Sequence, residues 1–272
     1  MPKRSKTTDS DALLETGTQI HHIAGNYTFI VPDKVNVISL YGCGGGDGGH
    51  SGRISYGYQV PGPGGSGGNG SVPHYWVEAG GTHIPVNPGD VFNILVGAGG
   101  ESDQPGTPTV ITQHFPATGA PDRRYLFGSG YGPVTLGGSG AGSGRQSSRP
   151  GASTPDPRTA GHMITGGQGF VTFPGANNDH WGGAGGGGGA GMGAGGDGGL
   201  GGCDGGSQVY FPGGSHSPDF RAAHSGKLGA NGHGSGAGGG GGGGPGDGAD
   251  DWIFDPGGHG GRGGDGYIEI AW

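Results

Sequence analysis

The chain closes on DPGGHGGRGGDGYIEIAW, residues 255–272, where two different periods meet. Side chains fall at every third position, Pro256, His259, Arg262 and Asp265, with glycine pairs between them, and a short apolar run then ends the chain. The same phase recurs at Ala194, Asp197, Leu200 and Cys203, at Pro63, Ser66 and Asn69, and at Asp47, His50 and Arg53. A period of three is neither the 3.6 of an α-helix nor the 2 of a strand. It is the period of the polyproline-II helix, which rises about 3.1 Å per residue and has no internal hydrogen bonds.

A lone helix of this type leaves its N–H and C=O groups unpaired, which is costly once they are buried. Several packed side by side pair laterally, and glycine is needed wherever two backbones approach closely. The paired glycines, Gly261 and Gly264 among them, are therefore expected to be structural and to face neighbouring helices. The third residue of each turn points outward or into a margin, so His259, Arg262 and Asp265 form one edge of an outer helix. The run at 236–248 is nearly all glycine, and its register cannot be read. Collagen is excluded by the missing single-glycine repeat and the modest proline content. A flexible linker has no reason to keep triplet phase.

Composition agrees. Glycine supplies 78 of 272 residues, about four times the usual share, and apolar and aromatic types reach only 29%. Such a chain builds no large oily core, so the glycines are required by geometry or the chain is disordered. Charged residues are only 12%, and apolar strands bracket the glycine runs, which argues against disorder. A net charge of −8 disfavours a nucleic-acid partner or an anionic membrane. No stretch nears the about 20 apolar residues of a membrane span, and the start has no apolar core for a signal peptide, so synthesis in a cytoplasm is expected. Cys43 and Cys203 have no metal-ligand spacing; two buried thiols or one disulfide both fit.

Strand signals are clear. Residues 27–31 and 35–41 are rich in β-branched and aromatic types and flank Pro32-Asp33-Lys34, which predicts a hairpin or a sheet-to-sheet crossing. Ile84 and Val86, a turn at Asn87-Pro88-Gly89-Asp90, and Val91 to Val96 repeat the form. In the last strand Ile268, Ile270 and Trp272 alternate against Tyr267, Glu269 and Ala271. A terminal strand pairing with an early one predicts one domain over 19–272, preceded by a polar arm, 1–18, and carrying polar loop insertions at 101–181 and 207–233. The fold class expected is all-β, with attached polyglycine helices and almost no α-helix.

The strand ending in LYGCGGG, the later VNPGDVFNILVGAGG, the glycine-rich stretch and the final GGDGYIEIAW resemble, over roughly residues 19–272, the glycine-rich domain of bacteriophage tail-fibre and other virion proteins. That resemblance implies a β-sandwich carrying polyglycine-II helices, as in the adhesins that cap tail fibres of T-even-like phages, where loops joining the helices touch the bacterial surface. It implies a virion protein made in the host cytoplasm and acting outside it. Its partners would be other virion subunits, held through the N-terminal arm, and a host surface protein or glycan; the sequence leaves a homo-oligomer open.

Enzyme readings are weak. Serines among glycines occur without the lysine of a phosphate loop or the strand–turn–helix context of a nucleophile elbow, so no catalytic residue is expected. The histidines at His21-His22, at His50 beside Asp47, at His259 before Asp265 and at Asp179-His180 match no zinc or calcium spacing, so no metal and no cofactor is expected. Binding is expected instead from His180, Trp181, Tyr210, Phe211, Trp252 and Phe254, which lie where glycine runs begin or end. Aromatic side chains give large contact area at low entropic cost. They would form a recognition tip or plug the ends of the bundle.

Overall fold

A computed structural model describes residues 16–53, 64–78, 81–128, 130–140, 148–156, 163–169, 185–198, 228–241 and 257–272. The fold is all-β. Two antiparallel sheets form a sandwich. The first runs in the order β1 (Thr18–His21), β13 (Tyr267–Ala271), β3 (Val37–Cys43) and β5 (His74–Tyr75), with β6 (Ile84–Pro85) also on β3. The second runs β2 (Gly25–Ile30), β7 (Val91–Val96), β8 (Thr109–Phe115) and β9 (Ala120–Phe127). Two small pairs, β4 (Gly70–Ser71) with β10 (Val134–Thr135) and β11 (Thr154–Pro155) with β12 (Met163–Ile164), lie outside these sheets.

The core follows from period-two alternation. Ile38, Leu40, Ile84, Ile268 and Ile270 face inward from the first sheet, and Phe29, Phe92, Ile94, Ile111 and Phe127 meet them from the second. The last strand lies between β1 and β3, with Ile270 opposite both Gln19 and Leu40, so the terminal strand pairs with early ones as expected. Both Pro-containing turns are sheet-to-sheet crossings, not hairpins. They are tied together, since Val31 N–H donates to Asp90 O at 2.9 Å and Gly89 N–H to Val31 O at 2.9 Å. Gly89 has φ 84°, which its turn requires of glycine.

Residues 101–136 differ from the loop expected there, because they contain β8 and β9, half of the second sheet. The apolar signal was weak because two inward positions of β8 are polar. Gln113 is buried, accepts the Tyr125 hydroxyl at 2.7 Å and donates to Asp90 Oδ2 at 3.1 Å, and Thr109 donates to Cys43 O at 2.8 Å. A buried polar group is tolerated when its hydrogen bonds are made.

The glycine segments extend from this sandwich as a bundle. Along 44–53 the N–H groups turn through three neighbours in succession. Gly45 and Gly48 donate to Thr107 and Gln104, Gly46, Gly49 and Gly52 to Gly264, Gly261 and Gly258, and Asp47 and His50 to Asn69 and Ser66. Donors advance by three while acceptors retreat by three, as antiparallel helices with three residues per turn require.

Two segments lie inside the lattice. Segment 236–241 is hydrogen-bonded to six others: 44–53, 64–71, 185–190, 193–198, 228–233 and 257–266. Segment 185–190 likewise has six, namely 64–71, 136–140, 148–153, 165–169, 193–198 and 236–241. These are the uninterrupted runs, GAGGGG and GGGGGA, with no side chain larger than a methyl. A Cβ on Gly238 would lie 2.7 Å from the carbonyl carbon of Gly68. Margin segments, open on one side, read as glycine pair plus one residue. At a corner, 148–153 (SRPGAS) has a single glycine, Gly151, in contact with 165–169 through Gly167. The two segments with six neighbours are thus the ones without an interrupting side chain.

Candidate functional site

The register of the lattice decides where the chain leaves it. Segment 44–53 starts at the end of β3 and runs away from the sandwich for about 28 Å, at about 3.1 Å per residue. Gly52 is level with Gly258 and His50 with Ser66, so Arg53, Gly64 and Gly257 lie at the far end. Gly241 pairs with Gly186, Gly186 with Gly65, Arg149 with Ser139, Gly198 with Gln168 and Gly229 with His259. The same level is therefore reached by Gly140 and Ser148, Gly169 and Gly185, and Gly198 and Leu228. The connections 54–63, 141–147, 170–184, 199–227 and 242–256 all attach there. We call this the distal end.

The six expected binding residues fall on three of these connections. His180, Trp181, Tyr210, Phe211, Trp252 and Phe254, and Cys203 with them, lie outside the described residues. Their attachment points are adjacent, a relation that no local sequence signal contains, since it depends on which segments run antiparallel.

The described part of the distal end is a polar knot that sequence reasoning missed. The turn between Glu101 and Gln104 puts Asp103 at φ 62° beside the end of segment 44–53. The Asp103 carboxylate accepts the Ser51 N–H at 2.9 Å, the Ser51 hydroxyl at 2.5 Å and the Ser102 hydroxyl at 3.2 Å, and lies 3.5 Å from His50 Nδ1. His259 Nδ1 is 3.4 Å from Ser51 Oγ, and Gly260 N–H donates to Ser102 Oγ at 2.9 Å. Burial alone would raise the Asp103 carboxyl, but the Ser51 and Ser102 hydrogen bonds and the His50 charge outweigh it and hold it below its ordinary value. The Ser51 hydroxyl is directed at the carboxylate and not at an imidazole base. That is the reverse of the order in which a base draws a proton from a nucleophilic serine. The knot fastens three segments at the roots of the distal connections.

The triplet edge at the end of the chain is placed as its phase predicts, with one difference. His259 is exposed, and Arg262 binds Glu101 at 2.9 Å and Asp265 at 2.6 Å. Asp265 turns inward, to accept the N–H of Gly99 at 3.0 Å and of Ala24 at 3.2 Å. It joins the bundle to the sandwich. Gly261 and Gly264 donate to Gly240 and Ala237 of the central segment, at 2.7 Å each. Cys43 is a free, buried thiol whose pKa burial pushes up to about 12. His21 stacks on Tyr27 with ring centroids 4.0 Å apart, and burial followed by the neighbouring His22 lowers its pKa. Among the described residues no group of three His, Cys, Asp or Glu side chains is placed to hold a metal ion. No described helix is long and apolar enough to cross a membrane.

The sequence profile of the glycine-rich domain matches residues 21–272, from the first strand of the sandwich to the last residue. This chain belongs to the glycine-rich domain family. The match spans every described strand from β2 to β13 and the glycine segments between them. A search of curated proteins found no match.

Proposed function

We propose that this glycine-rich domain protein is a receptor-binding component of a bacteriophage particle, a tail-fibre or tail-tip adhesin that holds recognition loops at one end of a rigid polyglycine bundle. The observation that carries this reading is the convergence of five chain connections on the distal end. Long connections on a rigid scaffold commonly carry recognition. The aromatics of those connections supply contact area for a host surface protein or glycan, with no catalysis, no nucleic acid and no membrane insertion. The virion assignment rests on the resemblance to phage tail-fibre domains.

A non-adhesive decoration, plug or cap is the second reading. Gly17 pairs with Trp272 at 2.9 and 3.0 Å, so the point where the N-terminal arm attaches lies on the sandwich, away from the connections, which suits either reading. The arm is the attachment to other virion subunits in both readings.

The deciding experiment is binding of the purified, labelled protein to intact cells of a candidate host, beside a resistant strain. Saturable, strain-selective binding, lost on exchange of 170–184 and 242–256 for short glycine linkers, is expected. Folded protein that binds neither strain overturns the adhesin reading in favour of the structural one.

A further inference from the structure

The lattice has a margin, and four of its margin side chains share one chemistry. Asp47 Oδ1 accepts the N–H of Gly106 at 3.0 Å, and Asn69 Oδ1 that of Gly137 at 3.2 Å. Asp197 Oδ1 accepts the N–H of Gln168 at 2.7 Å, and Asn231 Oδ1 that of Arg262 at 2.8 Å. Asp47 and Asn69 are joined further by Asn69 Nδ2 donating to Asp47 Oδ2 at 3.0 Å. Each of these four occupies a third position and is followed by glycine. Each accepts a donor from an adjacent segment that faces out of the bundle instead of into it.

We propose that these Asp and Asn residues, each followed by glycine, terminate the lattice, and that without them the margin becomes an interaction surface for a second copy of this chain. A polyglycine helix donates in three directions, and one lying at a margin has a direction with no neighbour. Such a row of donors is a template for further growth, as the edge of a β-sheet is. The partner that fits it is another polyglycine helix, because side chains elsewhere hold backbones too far apart, and a second copy carries several. A short side-chain carboxylate or amide reaches back to the adjacent backbone and takes the donor in its place. At the corners proline does the same by having no N–H, at Pro105 beside Gly106 and at Pro150 beside Gly151.

Asp197 offers the test, because Ala194 already occupies the same face of its segment one turn earlier, so alanine fits there. In the full chain, Asp197→Ala combined with Asn231→Ala is expected to speed amide exchange at Gln168 and Arg262 by about tenfold or more, and Asp197→Asn with Asn231→Asp, which keep an acceptor oxygen, is expected to leave it within about twofold. Sedimentation velocity of the alanine pair is expected to become concentration-dependent where the conservative pair sediments as wild type. Unchanged exchange at Gln168 and Arg262 in the alanine pair overturns the proposal. So does faster exchange with sedimentation unchanged at every concentration, which would reduce these residues to local caps.

Discussion

Arg262 Nη2 lies 2.6 Å from Asp265 Oδ1, one turn along the same polyglycine helix. This pair stands where the bundle meets the sandwich, since the same carboxylate also accepts the N–H of Ala24, between β1 and β2, and of Gly99, just after β7. Removing the acceptor by Asp265→Ala leaves two part-buried backbone donors without it. The variant is expected to lose about 2–4 kcal/mol of unfolding free energy in urea, on the basis of about 1–2 kcal/mol for each part-buried donor stripped of its partner. Arg262→Ala, which leaves both donors paired, is expected to lose under about 1 kcal/mol.

Acid titration reports on two carboxylates, Asp265 and Asp103. Burial would raise the Asp265 carboxyl, but the Gly99 and Ala24 N–H groups and the Arg262 guanidinium outweigh it and lower its pKa. A carboxyl with a lowered folded-state pKa binds fewer protons when native, so its contribution is complete above the ordinary carboxylate value, about 3.9, and is lost as pH falls through the lowered one. Asp103 has the same sign. Thermal stability is expected to be flat with respect to these groups from neutrality down to about pH 5 and to fall below about pH 4. Asp265→Asn is expected to flatten that acid limb.

Glycine in the lattice interior is expected to be irreplaceable, while the third position of a margin segment is tolerant. Gly238→Ala puts a methyl into the Gly68 carbonyl of a neighbouring helix, backbone that cannot give way without shifting a whole segment. A loss above about 3 kcal/mol or failure to fold is expected. Ser66→Ala, half-buried in segment 64–71, is expected to stay within about 0.5 kcal/mol of wild type in the same denaturation series.

The buried polar chain through the sandwich gives a further expectation. Gln113 joins Asp90 to Tyr125, and all three are at most 1% exposed. Gln113→Leu leaves a carboxylate oxygen and a phenol short of a partner and is expected to cost about 2–4 kcal/mol. Adding Tyr125→Phe to Gln113→Leu is expected to recover part of that loss in a double-mutant cycle.

Cys43 is expected to be inert in the folded protein. Its pKa of about 12 keeps the thiolate scarce at pH 8, and burial keeps reagent away. Alkylation followed by peptide mapping is expected to label Cys43 only after denaturant unfolds the chain.

Much of this fold is legible in the sequence, because its two periods are physical signals. Alternation at 267–272 placed Ile268 and Ile270 in the core, and the triplet phase at 257–266 placed a polyglycine helix with His259 at its edge. The strands β8 and β9 escaped, because Thr109 and Gln113 occupy inward positions and break the apolar alternation that marks a half-buried strand. The knot at Ser51, Ser102 and Asp103 escaped as well, because it joins residues about fifty positions apart through a turn whose sequence is merely polar.

What the sequence determined by itself is local: a strand where apolar residues alternate, a three-fold helix where glycine pairs recur, and a margin position where a side chain interrupts them. Which helix is central and which is marginal was settled only by tertiary structure. In 236–241 and 185–190 the backbone is the only thing to be read, and six neighbours can be assigned to a bare backbone only when all of them are in place. The convergence of the five connections on one end has the same origin. It follows from the antiparallel register of hydrogen bonds between segments far apart in the chain, and a repeat of three residues carries the spacing of those bonds but not their partners.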